Sequence, residues 1–401
     1  MIKNTKFLAI FSIIAVALLL GQNNLQANDF NGRKIVVFKD KAVSEESRGR
    51  LIRNYGGVEI KNLDLINAKV VVLPNRKAEK DLLLNKEVLR VDDDVIVNAL
   101  AREQRTTQAV LQVIPWGISR INANLVWPSS NTADTVKVGI IDTGISNTHP
   151  DLYNNVKGGV NTINSRKSWN DDNGHGSHVA GIVSALNNSV GVVGAAPNAD
   201  LYAIKVLNAN GSGYLSDIIE GIDWAIAKKM NVINMSLGTS SNIQSFRDAV
   251  IRAKNAGVVV VAAAGNSGGT LNSAVIFPAA YPEVIAVAAT DSNNQIAYFS
   301  SRGPEVDLAT PGVSIYSTYK GTGYATLSGT SMAAPHVTGA AALLLYKSFT
   351  APSVCDTIIL DGKCDPDEVQ AKLQSTAVDL GTSGFDNLFG WGLVNSFSAT
   401  Q

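Results

Sequence analysis

From residue 136 onward the chain repeats one pattern, a short unbroken run of Val, Ile and Ala followed by a longer segment with helical spacing. The runs at 136–141, 200–206, 232–236, 257–263 and 284–289 show no alternation of polar and apolar residues. A strand that is apolar on both sides has to be covered on both faces. Helices are expected between the runs, at 175–185, 215–228 and 245–256. Together these predict an α/β fold with a mainly parallel twisted sheet and helices on both faces. Residues 331–346 read as one more helix, and its stretch 340–345 leaves almost no polar face, which predicts burial all round. A chain of 401 residues, 45% hydrophobic and 17% charged, can build such a core.

The front of the chain has a different rhythm. Strands are expected at 34–39, 58–65 and 68–73, with a last one inside 88–98, and helices at 44–55 and 76–84. Ser44 is placed to cap the first helix, with Glu45 and Glu46 in its opening turn. The order β-α-β-β-α-β fits a small α+β ferredoxin-like domain. Residues 101–110 (AREQRTTQAV) are polar and aperiodic and read as a linker open to proteolysis.

Before all this, Lys3 and Lys6 precede an apolar run, 7–20, and a polar stretch ends at Ala27. A run of about 14 residues is short of the roughly 20 that a spanning helix needs, so 1–27 reads as a signal peptide and the protein as secreted (extracellular). An uncleaved membrane anchor is the competing reading. No other segment is long and apolar enough for stable membrane insertion. A formal net charge of zero speaks against a nucleic-acid partner held by bulk charge. Residues 28–110 carry 16 Lys+Arg against 13 Asp+Glu, whereas 111–401 carry 16 against 21, so the two parts should attract each other. The only cysteines, Cys355 and Cys364, sit close together. In an exported chain this favours one disulfide. The alternative is a metal site with Asp356, Asp361, Asp365 and Asp367, but no His stands beside either thiol as zinc would favour.

Three segments carry chemistry. Residues 138–145 read VGIIDTGI, 173–182 read NGHGSHVAGI, and 329–337 read GTSMAAPHV. Asp142 follows an apolar strand and should stand at its carboxyl end, where open α/β sheets place their sites. His175 opens a helix between two glycines, and Ser331 stands at a helix N-terminus. Each has a plainer reading in isolation: a turn Asp, a buried His, an N-cap Ser. The conjunction outweighs them, because a Ser hydroxyl becomes nucleophilic when an imidazole takes its proton and a carboxylate fixes that imidazole. Asn266, in AAAGNS, supplies an amide that could hold an oxyanion together with the Ser331 N–H. The other histidines, His149, His178 and His336, have structural readings. An esterase would instead show a Gly-x-Ser-x-Gly elbow, with His last in order.

These segments closely resemble the subtilisin family of secreted serine proteases, and the likeness runs nearly unbroken from Gln112 to about Val394. It includes QVIPWGISR at 112–120, LNNSVGVV at 186–193, NVINMSLG at 231–238 and ATPGV at 309–313. The resemblance implies a serine endopeptidase of broad specificity, made as an autoprocessed zymogen, with Asp142, His175 and Ser331 as the triad. It implies a signal peptide at 1–27 and a propeptide at 28–100 that serves as chaperone and intramolecular inhibitor. A linker or processing region at 101–111 and a peptidase domain at 112–401 would follow. Protein or peptide substrate would bind as an added strand along Gly211 and Gly213, with its side chain between Ser236, Leu237, Gly238 and Ala263, Ala264, Gly265. Leu271, Val275 and Ile276 depart from wide-pocket members, and Ile276 would narrow that pocket. The resemblance also implies a structural Ca2+ held by side chains of Gln112, Asp151 and Asn188 and carbonyls of Leu186, Val190 and Val192. A weaker site would lie near Ala279, Tyr281, Glu305 and Asp307. The protein is expected to be a monomer.

Overall fold

The computed structural model describes residues 30–39, 44–107, 111–269 and 273–401. The expected signal 1–27 and Leu271 lie outside the described residues. In the front domain, β1 (Arg33–Phe38), β2 (Val58–Leu63), β3 (Ala68–Val72) and β4 (Val88–Asp93) form an antiparallel sheet in the order β2-β3-β1-β4. Helices α1 (Glu45–Asn54) and α2 (Arg76–Leu83) belong to this domain, and Ser44 caps α1 by accepting from the Ser47 N–H at 3.2 Å. β1 is apolar on both sides because both sides are covered. Val36 and Phe38 pack with Ile52, Leu73 and Leu82, while Ile35 and Val37 join a core shared with the rest of the chain.

That shared core is reached through two helices, α4 (Leu215–Ala227) and α5 (Gln244–Asn255). Asp94 accepts from the backbone N–H and hydroxyl of Ser216, both at 2.8 Å, at the start of α4. Asp92 does the same for Ser245 at the start of α5, at 3.1 and 2.5 Å. Both carboxylates thus face the positive ends of helices. Lys61 adds bonds to Asp217 and Glu220, and Arg90 to Asp248, so basic residues of the front part do meet acidic residues of the main part.

The main body is a seven-stranded parallel sheet, ordered β15 (Leu308–Pro311), β14 (Ile285–Thr290), β13 (Val259–Ala263), β11 (Val232–Met235), β7 (Lys137–Asp142), β9 (Asp200–Lys205), β8 (Val156–Asn161). Successive strand residues feed opposite cores. Val138 and Ile140 pack with α3 (His175–Ser184) and α6 (Thr330–Ser348), whereas Ile141 packs toward α4 and α5. β8 and β15 had no sequence signal: Val156–Asn161 contains Lys157 and two glycines, and Leu308–Pro311 is four residues ending in proline.

α6 is buried along nearly its whole length, as its composition requires. It contains Pro335, which has no N–H to give the Ser331 carbonyl one turn back. The Ser236 hydroxyl donates to that carbonyl instead, at 2.8 Å. Cys355 and Cys364 are joined in a disulfide with Cα atoms 5.5 Å apart. Among the described residues no helix is long and apolar enough to cross a membrane.

Within the segment 101–110, read in the sequence as a linker, Arg102–Thr107 forms strand β6, paired antiparallel with β17 (Tyr324–Ser328). β17 pairs on its other side with β16 (Ile315–Thr318). A strand whose partner is more than two hundred residues away needs no periodicity of its own, only an open edge to join.

Candidate active site

Asp142 is the last residue of β7, and its side chain is fully buried. His175 is the first residue of α3. Gly174 before it has φ +118°, and a Cβ there would lie 2.4 Å from the Tyr319 ring, so only glycine fits. The His175 Nδ1 lies 2.8 and 2.9 Å from the two oxygens of Asp142, and Asp142 also accepts from the Thr143 N–H at 2.7 Å. Burial alone would lower the His175 pKa, but the charge and hydrogen bond of Asp142 outweigh it, and Asp171 adds to the rise. Because Nδ1 faces two carboxylate oxygens, it is the nitrogen that carries the proton in the neutral ring, leaving Nε2 as the free base. Nε2 is buried and has no hydrogen-bond partner.

Ser331 is the second residue of α6. Its hydroxyl donates to the Ser236 carbonyl at 3.0 Å rather than to His175. Asn266, after β13, is held by its Oδ1, which accepts from the N–H and hydroxyl of Thr330, both at 2.9 Å. That fixes the amide so that its Nδ2 points into the cleft. There it donates to the carbonyl oxygen of Leu100 at 2.8 Å. A Cβ on Gly329 would lie 2.4 Å from this oxygen and 3.3 Å from the Ala101 Cα, so the Leu100–Ala101 peptide rests directly on the turn before Ser331.

The chain entering this point is strand β5 (Ile96–Ala99), which separates from β4 instead of extending it. β5 lies between β10 (Ser212–Tyr214) and β12 (Leu237–Gly238), antiparallel to both. Gly213 faces Val97, Gly238 faces Asn98, and the Gly211 carbonyl accepts from the Ala99 N–H at 2.9 Å. The Leu100 N–H donates to the Ser236 carbonyl at 3.4 Å. Ile276 sits beside two glycines: a Cβ on Gly238 would lie 2.5 Å from its Cδ1, and one on Gly265 would lie 3.1 Å from its Cγ1. Ala263 and Ala264 are fully buried next to Gly265, and Leu237 is buried in β12. Val275, the other described member of the departing trio, is buried in the core shared with α4 and α5.

The residues expected to hold a cation converge. The Gln112 amide nitrogen lies 2.8 Å from the Leu186 carbonyl, 3.3 Å from that of Val192 and 3.4 Å from the Asn188 side-chain oxygen. Leu111 and Val113 bridge to Val190 and Val192, so the loop wraps Gln112. Asp151 accepts from the Asn188 amide and the Val192 N–H, each at 2.9 Å. Oxygens gathered around one electropositive nitrogen, with a carboxylate at the edge, form a donor set that fits Ca2+ better than a softer metal. Two of the residues suggested for a weaker site have hydrogen-bond partners within the protein. Asp307 accepts from the Ala286 N–H and the amides of Gln370 and Gln374, and Tyr281 donates to the Ile243 carbonyl.

The remaining histidines are structural. Burial lowers His178 to about 3 and His336 to about 4, and it lowers His149 as well. Their ring nitrogens lie near backbone carbonyls: those of Ala325 for His178, Met332 for His336 and Gly323 for His149. Sequence reading passed over Asp171, whose carboxylate accepts from the Thr143 hydroxyl, the Asn173, Gly174 and Ser177 N–H groups and the Ser177 hydroxyl. It ties the end of β7 to the start of α3. An acidic residue four positions before His175 was the available signal. Thr330, which orients Asn266, left no signal beyond standing next to Ser331.

A sequence profile of the subtilase family matches residues 133–392. The chain is 42% identical over 371 residues to subtilisin E of Bacillus subtilis, covering 92% of this chain and 90% of that protein. It is 40% identical over 396 residues to a thermostable alkaline protease of Halalkalibacterium halodurans, covering 98% and 99%. Subtilisin Savinase of Lederbergia lenta is 47% identical over 290 residues, 72% of this chain and the whole of that protein.

Proposed function

We propose that this chain, which belongs to the subtilase family and is thereby a serine endopeptidase, is a zymogen that cuts its own Leu100–Ala101 bond. One observation carries the reading: the Leu100 carbonyl accepts from Asn266 while the residues before it fill the cleft as a strand. The chain's own peptide thus lies where a substrate would lie.

In this reading the Ser331 hydroxyl turns from the Ser236 carbonyl to His175 Nε2 and attacks the Leu100 carbonyl carbon. His175 takes the proton and delivers it to the departing Ala101 nitrogen. Asp142 holds the imidazole through Nδ1 and stabilises its charge. Asn266 and the Ser331 N–H hold the developing oxyanion, which strengthens a bond already formed in the ground state. Water then releases the Leu100 carboxylate by the same route in reverse.

After cleavage the front domain remains as an inhibitor, with β5 in the cleft and Asp92 and Asp94 on the two helix starts. Substrates bind by the same strand addition. Backbone pairing makes few demands on sequence, so specificity is broad, with Ile276 favouring aliphatic side chains of the size of Leu100. Gln112, Asp151 and Asn188, with the carbonyls of Leu186, Val190 and Val192, would hold Ca2+. That ion would stabilise the fold and take no part in the chemistry. The export-type start of the chain supports a secreted protein, and we read it as a monomer.

The test is intact mass of the chain from Asn28 beside its Ser331→Ala copy. Wild type alone should lose the mass up to Leu100 and then digest casein. Maturation of the Ser331→Ala copy by itself, or a first cut elsewhere, would overturn the reading.

A further inference from the structure

The strand that follows the cleaved bond does not leave the enzyme. β6 pairs with β17 in the register Arg102 to Ser328, Glu103 to Leu327, Arg105 to Thr326, Thr106 to Ala325 and Thr107 to Tyr324. β17 runs straight into Gly329 and Ser331, so this edge is the leaving-group side of the cleft. At the far end the chain is fixed again. The Gln112 N–H donates to the Ser189 carbonyl at 3.2 Å, and that of Val113 to Gly191 at 2.9 Å. The chain is thus held both at β6 and at Gln112, and breaking the Leu100–Ala101 bond removes neither the pairing on β17 nor the anchor at Gln112.

We infer that self-cleavage leaves an N-terminal arm beginning at Ala101, whose strand β6 occupies the leaving-group side of the cleft until a second cut removes it. The inference rests on the self-cleavage reading above. An arm tethered at Gln112 competes with substrate at millimolar effective concentration, so even weak strand pairing blocks this edge. Substrates with several residues after the cleaved bond must displace it, whereas a short amide with a small leaving group need not.

The second cut comes from another molecule. The bonds within β6 lie along β17, beyond Ser331, and the Gln112 anchor prevents them from sliding back to it. The reaction is a second peptide-bond hydrolysis, consuming one water and yielding a short peptide with a new N-terminus near Leu111.

The experiment follows intact mass of the wild-type chain at two protein concentrations tenfold apart. In parallel, each species is assayed on a p-nitroanilide and on a peptide extended by six residues past the cleaved bond. The expected result is a first cut after Leu100 at a rate independent of concentration, then a second loss between Ala101 and Gln112 whose rate rises with concentration. The ratio of extended-peptide to anilide activity should rise on the order of tenfold with the second loss. A chain carrying both Thr106→Pro and Thr107→Pro, one of whose two missing N–H groups must face β17, should show the higher ratio directly after the first cut. Either a single cut that directly yields a start near Leu111, or an equal ratio before and after trimming, overturns the arm while leaving self-cleavage intact. Absence of any Ser331-dependent cut overturns both.

Discussion

The Asn266 amide lies 2.8 Å from the Leu100 carbonyl oxygen, across 166 residues of sequence. Its own oxygen is fixed by Thr330, the neighbour of Ser331. The Asn266 amide, the helix that opens at Thr330 and the Leu100 carbonyl are thus joined in one hydrogen-bonded unit. If the proposed self-cleavage occurs, it offers a single-turnover measurement of each part, independent of added substrate.

Replacing Asn266 with Ala should slow self-cleavage by about 10²–10³-fold, a magnitude carried over from the corresponding loss in subtilisin. The folded precursor should persist, because Asn266 lies outside the front domain's main contacts. Intact mass against time measures the rate. A loss of less than threefold would remove Asn266 from the oxyanion site.

The pH profile of self-cleavage should have its acid limb above 6.5. His175 acts only with Nε2 unprotonated, and Asp142 raises its pKa against the opposing effect of burial. The rate therefore falls as pH drops through that raised value. Stability runs the other way. The part contributed by protonated His175 is complete below 6.5 and is lost as pH rises through the folded pKa. Asp142→Asn should cost about 10⁴-fold in rate and move the limb to lower pH, since burial is then opposed only by the lesser influence of Asp171.

An Ile276→Gly enzyme should gain activity on Phe or Tyr before the cleaved bond relative to Leu. Ile276 fills the space beside Gly238 and Gly265. Removing its side chain should change the ratio of kcat/KM values on the order of tenfold, the scale of a few methylenes in an apolar pocket. An unchanged ratio would show that Ile276 is not a pocket wall.

Chelation should lower the melting temperature of the mature enzyme, and excess Ca2+ should restore it, because a ligand that binds only the folded state stabilises by mass action. In an Asn188→Ala enzyme the chelator shift should shrink or vanish. Calorimetry with and without chelator measures both. Equal shifts in the two enzymes would place the ion elsewhere.

Much of this was legible in the sequence, because local chemistry determines it. Unbroken Val/Ile/Ala runs have no stable place except a sheet covered on both faces, and the β-α-β-β-α-β rhythm of the front domain follows from side-chain spacing. Asp142, His175, Asn266 and Ser331 each stand in a small-residue setting that marks them out, and the Ser44 cap was visible as a residue type. Tertiary structure alone decided what faces what. Residues 102–107 carry no periodicity, and their strand exists only because β17 offers unpaired N–H and C=O groups. Asp171 is an ordinary loop acid until the fold turns three backbone N–H groups and two hydroxyls toward it. The resemblance singled out Ile276, but the gap it fills beside Gly238 and Gly265 exists only in the fold. The contact between the Asn266 amide and the Leu100 carbonyl, on which the proposed cut rests, belongs to the same class. A strand edge and a fixed amide meet one carbonyl by distance, and distance between residues far apart in sequence is set only when the chain has folded.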